Sequence, residues 1–230
     1  MKIKGLQKTT LLDYPGKVAC TVFTFGCNFR CPFCHNASLV INESDGDLSE
    51  QQFFSFLEKR KGILDGVCIT GGEPLLHKDI VPFIEKIHSM GFLVKLDTNG
   101  AFPERLKEII SLGIIDYVAM DIKNVPDKYA QAIGLLQMPE GILESIALLK
   151  QSNIEYEFRT TVVEQLHTKE DILGIAQLIE GAKQYYLQRF KDSGELIEEG
   201  YSAHSEQTMR EMLELVKPYV CVAGLRGMEE

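Results

Sequence analysis

Apolar positions along this chain fall into two alternating patterns. Continuous runs rich in β-branched and aromatic residues occur at 18–25 (VACTVFTF), 66–70 (GVCIT), 92–96, 114–120, 154–163 (IEYEFRTTVV) and 183–190 (KQYYLQRF). Bounded by glycine and polar residues, they read as buried strands. Between them apolar residues recur at helical spacing: Phe53, Phe54 and Leu57; Ile80, Phe83, Ile84 and Ile87; Leu106, Ile109 and Ile110; the stretches 139–151 and 168–179; and Met209, Met212, Leu213 and Val216. Local signals mark the ends of these helices. Ser49-x-x-Gln52 is a capping box, Gly91 ends one helix, Pro103 suits the first turn of the next, and Thr168-x-x-Asp171 and Ser205 open two more. The segment following Lys123 up to Gly134 reads as irregular or weakly helical, 191–204 as a mobile polar loop, and 219–223 as a short terminal strand leading into Gly224-Leu225-Arg226-Gly227.

Six strands separated by helical segments imply βα units around a parallel sheet. The expected class is α/β, a partial (β/α)6 TIM-like barrel. At 230 residues the chain reads as one domain, 1–230, with a last helix and strand at 205–227. Glycine-bearing or polar tetrads stand at the ends of the first four strands: the loop from Gly26, then Gly71-Gly72-Glu73-Pro74, Asp97-Thr98-Asn99-Gly100 and Asp121-Ile122-Lys123. In βα barrels the carboxyl ends of the strands carry the active site. These segments are thus expected on one rim.

Composition narrows the partners. The net charge is −9 and no block of Lys or Arg occurs, so nothing supplies the basic face that nucleic acid requires, and no direct nucleic-acid partner is expected. No apolar run is long enough to span a bilayer and the first residues lack a signal-peptide core, so no membrane role and a cytoplasmic location are expected.

The candidate chemistry centres on the loop 26–36, where Cys27, Cys31 and Cys34 follow a C-x3-C-x2-C spacing. The other cysteines, Cys20, Cys68 and Cys221, lie singly in apolar runs and read as small buried hydrophobes. Three neighbouring thiolates admit a zinc site with His35 as fourth ligand, although adjacent ligands strain a tetrahedron. Disulfides fit poorly with an odd trio in a reducing compartment. A four-iron, four-sulfur (4Fe-4S) cluster ordinarily takes four cysteines, so one built on three would leave one iron open for chemistry. The histidines have no base-and-nucleophile neighbourhood in the sequence; His77 and His88 read as helix residues, His167 and His204 as loop residues.

The C-x3-C-x2-C spacing with Phe33 before the last cysteine, followed in order by Gly71-Gly72-Glu73-Pro74, resembles the radical S-adenosylmethionine (radical SAM) enzymes. Over nearly the whole chain, from Gly5-Leu6 and Leu12-Asp13-Tyr14-Pro15-Gly16 to Leu225-Arg226-Gly227, it resembles the activating enzymes of glycyl radical enzymes, above all the longer activators of anaerobic ribonucleoside-triphosphate reductase. The resemblance implies a 4Fe-4S cluster on Cys27, Cys31 and Cys34 and SAM chelated at the open iron. It implies Phe33 beside the adenine, Gly71, Gly72, Glu73 and Pro74 at the methionine ammonium, and Asp97, Thr98 and Asn99 beside SAM with a monovalent cation. Asp121, Lys123 and Arg159 would complete the SAM site, Lys123 near its carboxylate. The family presents a histidine from strand six where this chain has Leu187-Gln188-Arg189-Phe190. The implied partners are a glycyl radical enzyme as protein substrate and flavodoxin or ferredoxin as electron donor. A radical SAM enzyme acting on a small molecule, such as a modified-nucleoside precursor, and a non-enzymatic iron-sulfur or zinc protein are the alternatives.

Overall fold

The fold comes from a computed structural model that describes residues 1–41, 48–192 and 194–228. The strands follow chain order in the sheet. They are β1 (Ile3–Thr10), β2 (Ala19–Thr24), β3 (Gly66–Gly71), β4 (Leu93–Thr98), β5 (Tyr117–Asp121), β6 (Glu155–Val162), β7 (Gln184–Arg189) and β8 (Val222–Arg226). The helices are α1 (Ala37–Ile41), α2 (Glu50–Glu58), α3 (Ile80–Ser89), α4 (Pro103–Ser111), α5 (Pro126–Ile133), α6 (Gly141–Gln151), α7 (Lys169–Leu178) and α8 (Glu206–Val216). The chain divides into two compact units, one made of Met1–Asn28, Ser38–Thr98 and Phe102–Ala119, the other of Phe29–Ala37, Asn99–Ala101 and Met120–Glu230.

In the first unit β2, β3 and β4 run parallel, with Ala19 opposite Gly66 and Gly66 opposite Leu93. The small residues at this end of the strands make room for a ring: a side chain on Gly66 would press on Tyr14, which packs with Ala19, Tyr117 and Ala119. The expected capping box opens α2, with the Gln52 amide donating to the Ser49 hydroxyl and Ser49 N–H donating to Gln52 Oε1. Phe53, Phe54 and Leu57 turn inward, and Phe53 stacks on Phe83 of α3 at 5.3 Å between centroids. β1 was not expected. It pairs antiparallel with β2 and carries Lys4, Gln7 and Lys8 among its apolar residues, which hides the strand pattern.

In the second unit β6, β7 and β8 are parallel, and Arg159 sits opposite Tyr186. A side chain on Gly224 would collide with Tyr186, so glycine leaves room for that ring; Arg226 then lies 3.7 Å over the ring and grips buried Glu157 through two bonds of 2.6 and 2.7 Å. The terminal strand starts later than expected, because Lys217–Tyr219 form a 3-10 turn, and Cys221 is exposed rather than buried. The stretch expected to be irregular or weakly helical holds a regular helix, α5. Pro126 occupies its first turn, Tyr129, Ala132 and Ile133 form a buried face, and Gly134 closes it with a left-handed backbone at φ 65°.

That close positions the loop before it in sequence. The Arg30 amide donates to the Ile133 carbonyl at 2.9 Å, and a Cβ on Gly134 would overlap the Arg30 carbonyl oxygen. Gly134→Ala is therefore expected to lower stability by at least ~1–2 kcal/mol, the cost of a left-handed L-residue alone, measured by denaturant titration; an unchanged midpoint would mean that α5 does not depend on this close.

Candidate functional site

The root of the loop 26–36 is built by main-chain bonds. β2 ends at Thr24, and Gly26 turns with φ 87°, donating its amide to Leu39 O at 2.8 Å. The Gly71-Gly72-Glu73-Pro74 turn then bonds back onto it: Gly72 N–H donates to Thr24 O at 3.0 Å and Glu73 N–H to Gly26 O at 2.8 Å. A Cβ on Gly71 would overlap the Thr24 backbone, and one on Gly72 the Gly26 carbonyl. These glycines permit a close approach, as the sequence indicated, but what approaches is the base of the cysteine loop. Pro74 starts a 3-10 turn, and fully buried Glu73 accepts from the Leu75 amide at 3.0 Å and from the Thr98 hydroxyl at 2.8 Å. Arg105 donates to the Leu75 and His77 carbonyls, which fixes the turn from the other side; His77 follows the 3-10 turn rather than lying in a helix.

At the end of β4, Lys95 and Asp97 share one face of the strand and form an ion pair, with Lys95 only 2% exposed. Cys68, opposite Lys95 in the sheet, accepts from its ammonium at 3.6 Å. Sequence reading missed Lys95; a lysine inside the apolar run 92–96 was the available signal. Asn99 accepts from the Ala101 amide at 3.0 Å, an Asx turn that closes the strand end.

Cys27 is half-buried, its sulfur 3.9 Å from Asn28 Oδ1. In the second unit Cys31 is buried and Cys34 half-buried, joined by a Cys34 N–H bond to Cys31 O at 3.0 Å. Burial pushes the Cys31 thiol up to about 11, although the charge of Lys123 acts in the opposite direction. Phe33, 3% exposed, packs edge-on against Tyr201 at 6.4 Å. His35, considered above as a zinc ligand, stacks on Phe190 at 5.4 Å. The connection expected at 191–204 is tied to this loop, Glu198 N–H donating to Pro32 O at 3.0 Å; its position 193 lies outside the described residues.

Among the described residues no three His, Cys, Asp or Glu side chains form a ready-made metal group. The donor chemistry nevertheless fits an iron-sulfur cluster: three cysteines outside any disulfide come from one short loop, and iron-sulfur clusters are held by thiolates. Burial favours the protonated Cys31 thiol, and a thiol has to give up that proton before it can serve as a metal ligand.

Asp121, Lys123 and Arg159 do come together. Lys123 Nζ reaches Asp121 Oδ2 at 3.0 Å and Arg159 Nε reaches Asp121 Oδ1 at 2.9 Å. Burial raises the Asp121 carboxyl, but the two cations outweigh it and hold it at about 2. Two cations on one carboxylate leave this trio with net positive charge. The main chain beneath it is anchored by residues the sequence did not single out. His167, 1% exposed, bonds the Lys123 carbonyl through Nε2 at 2.8 Å while its Nδ1 accepts from the Val163 amide at 3.0 Å, and Asn124 donates to Leu166 O at 2.9 Å. Burial lowers the His167 basicity, so the ring is neutral and the Nε2 proton faces Lys123.

Two outcomes are expected. Gly72→Ala should displace Gly26, lower thermal stability and reduce iron uptake on reconstitution; wild-type iron content would show that the turn is not needed to shape the loop. An aspartate ordinarily titrates near 3.9, so the depressed Asp121 group contributes stability above about pH 4 that is lost as pH falls through about 2. Asp121→Asn should flatten the fall in stability across that window, and parallel acid-unfolding profiles would remove the coupling.

The radical SAM superfamily profile matches residues 21–179. A protein of Methanocaldococcus jannaschii described as a putative glycyl-radical enzyme activating enzyme is 35% identical over 227 residues, 95% of this chain and 92% of its own length. The pyruvate formate-lyase-activating enzyme of Clostridium pasteurianum is 26% identical over 79% of this chain and 77% of its own. Streptococcus suis SuiB bound to S-adenosylmethionine superposes with a TM-score of 0.72 at 14% identity, over 87% of this chain and 48% of that one, which shows a shared fold. With β2 to β7 as the six strands expected in the sequence, this α/β chain belongs to the radical SAM superfamily, among its glycyl-radical enzyme activating enzymes.

Proposed function

We propose that Cys27, Cys31 and Cys34 hold a 4Fe-4S cluster with one open iron and that the protein uses SAM to install a radical on a glycine of a partner enzyme. When bound, the reduced cluster supplies one electron to the SAM sulfonium, whose bond to the 5′ carbon breaks to give methionine and a 5′-deoxyadenosyl radical able to take a glycine α-hydrogen. The observation that carries the reading is the joining of two distant motifs: Glu73 N–H on Gly26 O makes the Gly71–Pro74 turn and the root of the cysteine loop one structure. Glu73, already held by Leu75 and Thr98, fixes the turn so that main-chain carbonyls at Gly71 and Gly72 can accept from the methionine ammonium. The net positive trio of Asp121, Lys123 and Arg159 suits the SAM carboxylate, with Lys123 as its nearest donor. Phe33 supplies an apolar wall for the adenine. Asp97 and Thr98 stand beside SAM, and Lys95 gives Asp97 a cation of its own, so this reading requires no monovalent ion there.

The glycyl radical enzyme is supported by the similarity to the Methanocaldococcus jannaschii relative across nearly all of both chains. We assign anaerobic ribonucleoside-triphosphate reductase as that enzyme, on the resemblance of the segments at Gly5-Leu6, 12–16 and Leu225-Arg226-Gly227, with flavodoxin or ferredoxin as electron donor.

The test is anaerobic: iron and sulfide are reconstituted, dithionite and SAM added, and 5′-deoxyadenosine followed with and without the reductase. Wild type should form it and Cys31→Ala should fall to background, while the reductase acquires a glycyl radical signal in electron paramagnetic resonance. Turnover without that signal would defeat the reductase assignment and favour a small-molecule substrate; no 5′-deoxyadenosine from a fully loaded protein would defeat the enzymatic reading.

A further inference from the structure

The buried hydroxyl of Tyr129 has no part in the chemistry assigned so far. Tyr129 is completely buried on α5, and among the described residues its oxygen has no hydrogen-bond partner of regular geometry, although the Lys123 main chain lies close enough to act on it. A buried hydroxyl left unpaired keeps its full desolvation cost, so such a group calls for an explanation.

Its position supplies one. Tyr129 stands one helical turn before Ile133, on the same buried face of α5. Ile133 O receives the Arg30 amide, and Gly134 lies against the Arg30 carbonyl, so the C-terminal end of α5, one turn beyond Tyr129, packs on the loop at the residue before Cys31. Consistently, burial raises the Tyr129 phenol, with the charges of Cys31 and Asp121 acting in the same direction and Lys123 opposing them. The unpaired hydroxyl and the buried thiol thus share one neighbourhood.

We infer that the Tyr129 hydroxyl donates a hydrogen bond to cluster sulfur at Cys31, either the ligating thiolate or a sulfide on the same iron. This rests on the cluster reading above. Reduction adds negative charge to the cluster, and a donor at sulfur favours the more negative state, raising the potential. Tyr129 is then a positioning residue that tunes the cluster without touching SAM.

Tyr129→Phe deletes only the oxygen and tests this in two ways. In reconstituted protein with matched iron content, a potentiometric titration followed by electron paramagnetic resonance should show the variant harder to reduce. A tenfold fall in the reduction equilibrium is about 59 mV for one electron. In cluster-free protein the variant should melt at the same temperature as wild type or higher, because the hydroxyl has no partner to lose. Coincident potentials overturn the inference, as does a cluster-free variant less stable than wild type. Failure of wild type itself to assemble a four-iron cluster would instead bring down the reading on which the inference rests.

Discussion

Two main-chain hydrogen bonds, from Gly72 and Glu73 to Thr24 and Gly26, are the constraint on which the candidate site depends. They require two backbones to pass within contact distance, and only glycine at 71 and 72 allows it. The buried Glu73 carboxylate then locks the turn by accepting from Leu75 and Thr98, and Arg105 holds the carbonyls that follow. Motifs separated by more than forty residues in sequence thereby become one rigid element.

In the second unit electrostatics takes the place of backbone geometry. Asp121 satisfies two half-buried cations at once, and the carboxylate stays charged because their attraction exceeds the cost of its burial. His167 and Asn124 supply the uncharged scaffold beneath them, so that the main chain at Lys123 is fixed independently of what its ammonium binds. A neutral ring suits this task, because it can donate at one nitrogen and accept at the other.

Much of this was legible in the sequence because it rests on local signals. The capping boxes at Ser49 and Thr168 and the alternation of Asp121 and Lys123 across Ile122 each express a short-range rule, and each reappears in the structure. What escaped depends on partners remote in sequence. β1 is defined by its pairing with β2 more than by its own polar-rich pattern, and His167, a loop residue as expected, owes its anchoring role to two partners from separate segments. Lys95 was hidden inside an apolar run, and its role appears only with Asp97 and Cys68 beside it. α5 is different: Pro126, the apolar spacing and Gly134 were all readable. The backbone that packs against Gly71 and Gly72 could not be read, since sequence shows that a close approach is allowed but not which segment of the chain makes it.

The bond from Glu198 N–H to Pro32 O holds the 191–204 connection to the cysteine loop through peptide groups alone. Such a bond places no demand on the side chain at 198, nor on exposed neighbours such as Glu195 and Glu199. Evolution can rewrite the chemical face of this strap, including its present acidic character, while its attachment survives unchanged. The surface chemistry of this strap is thereby uncoupled from the bond that anchors it.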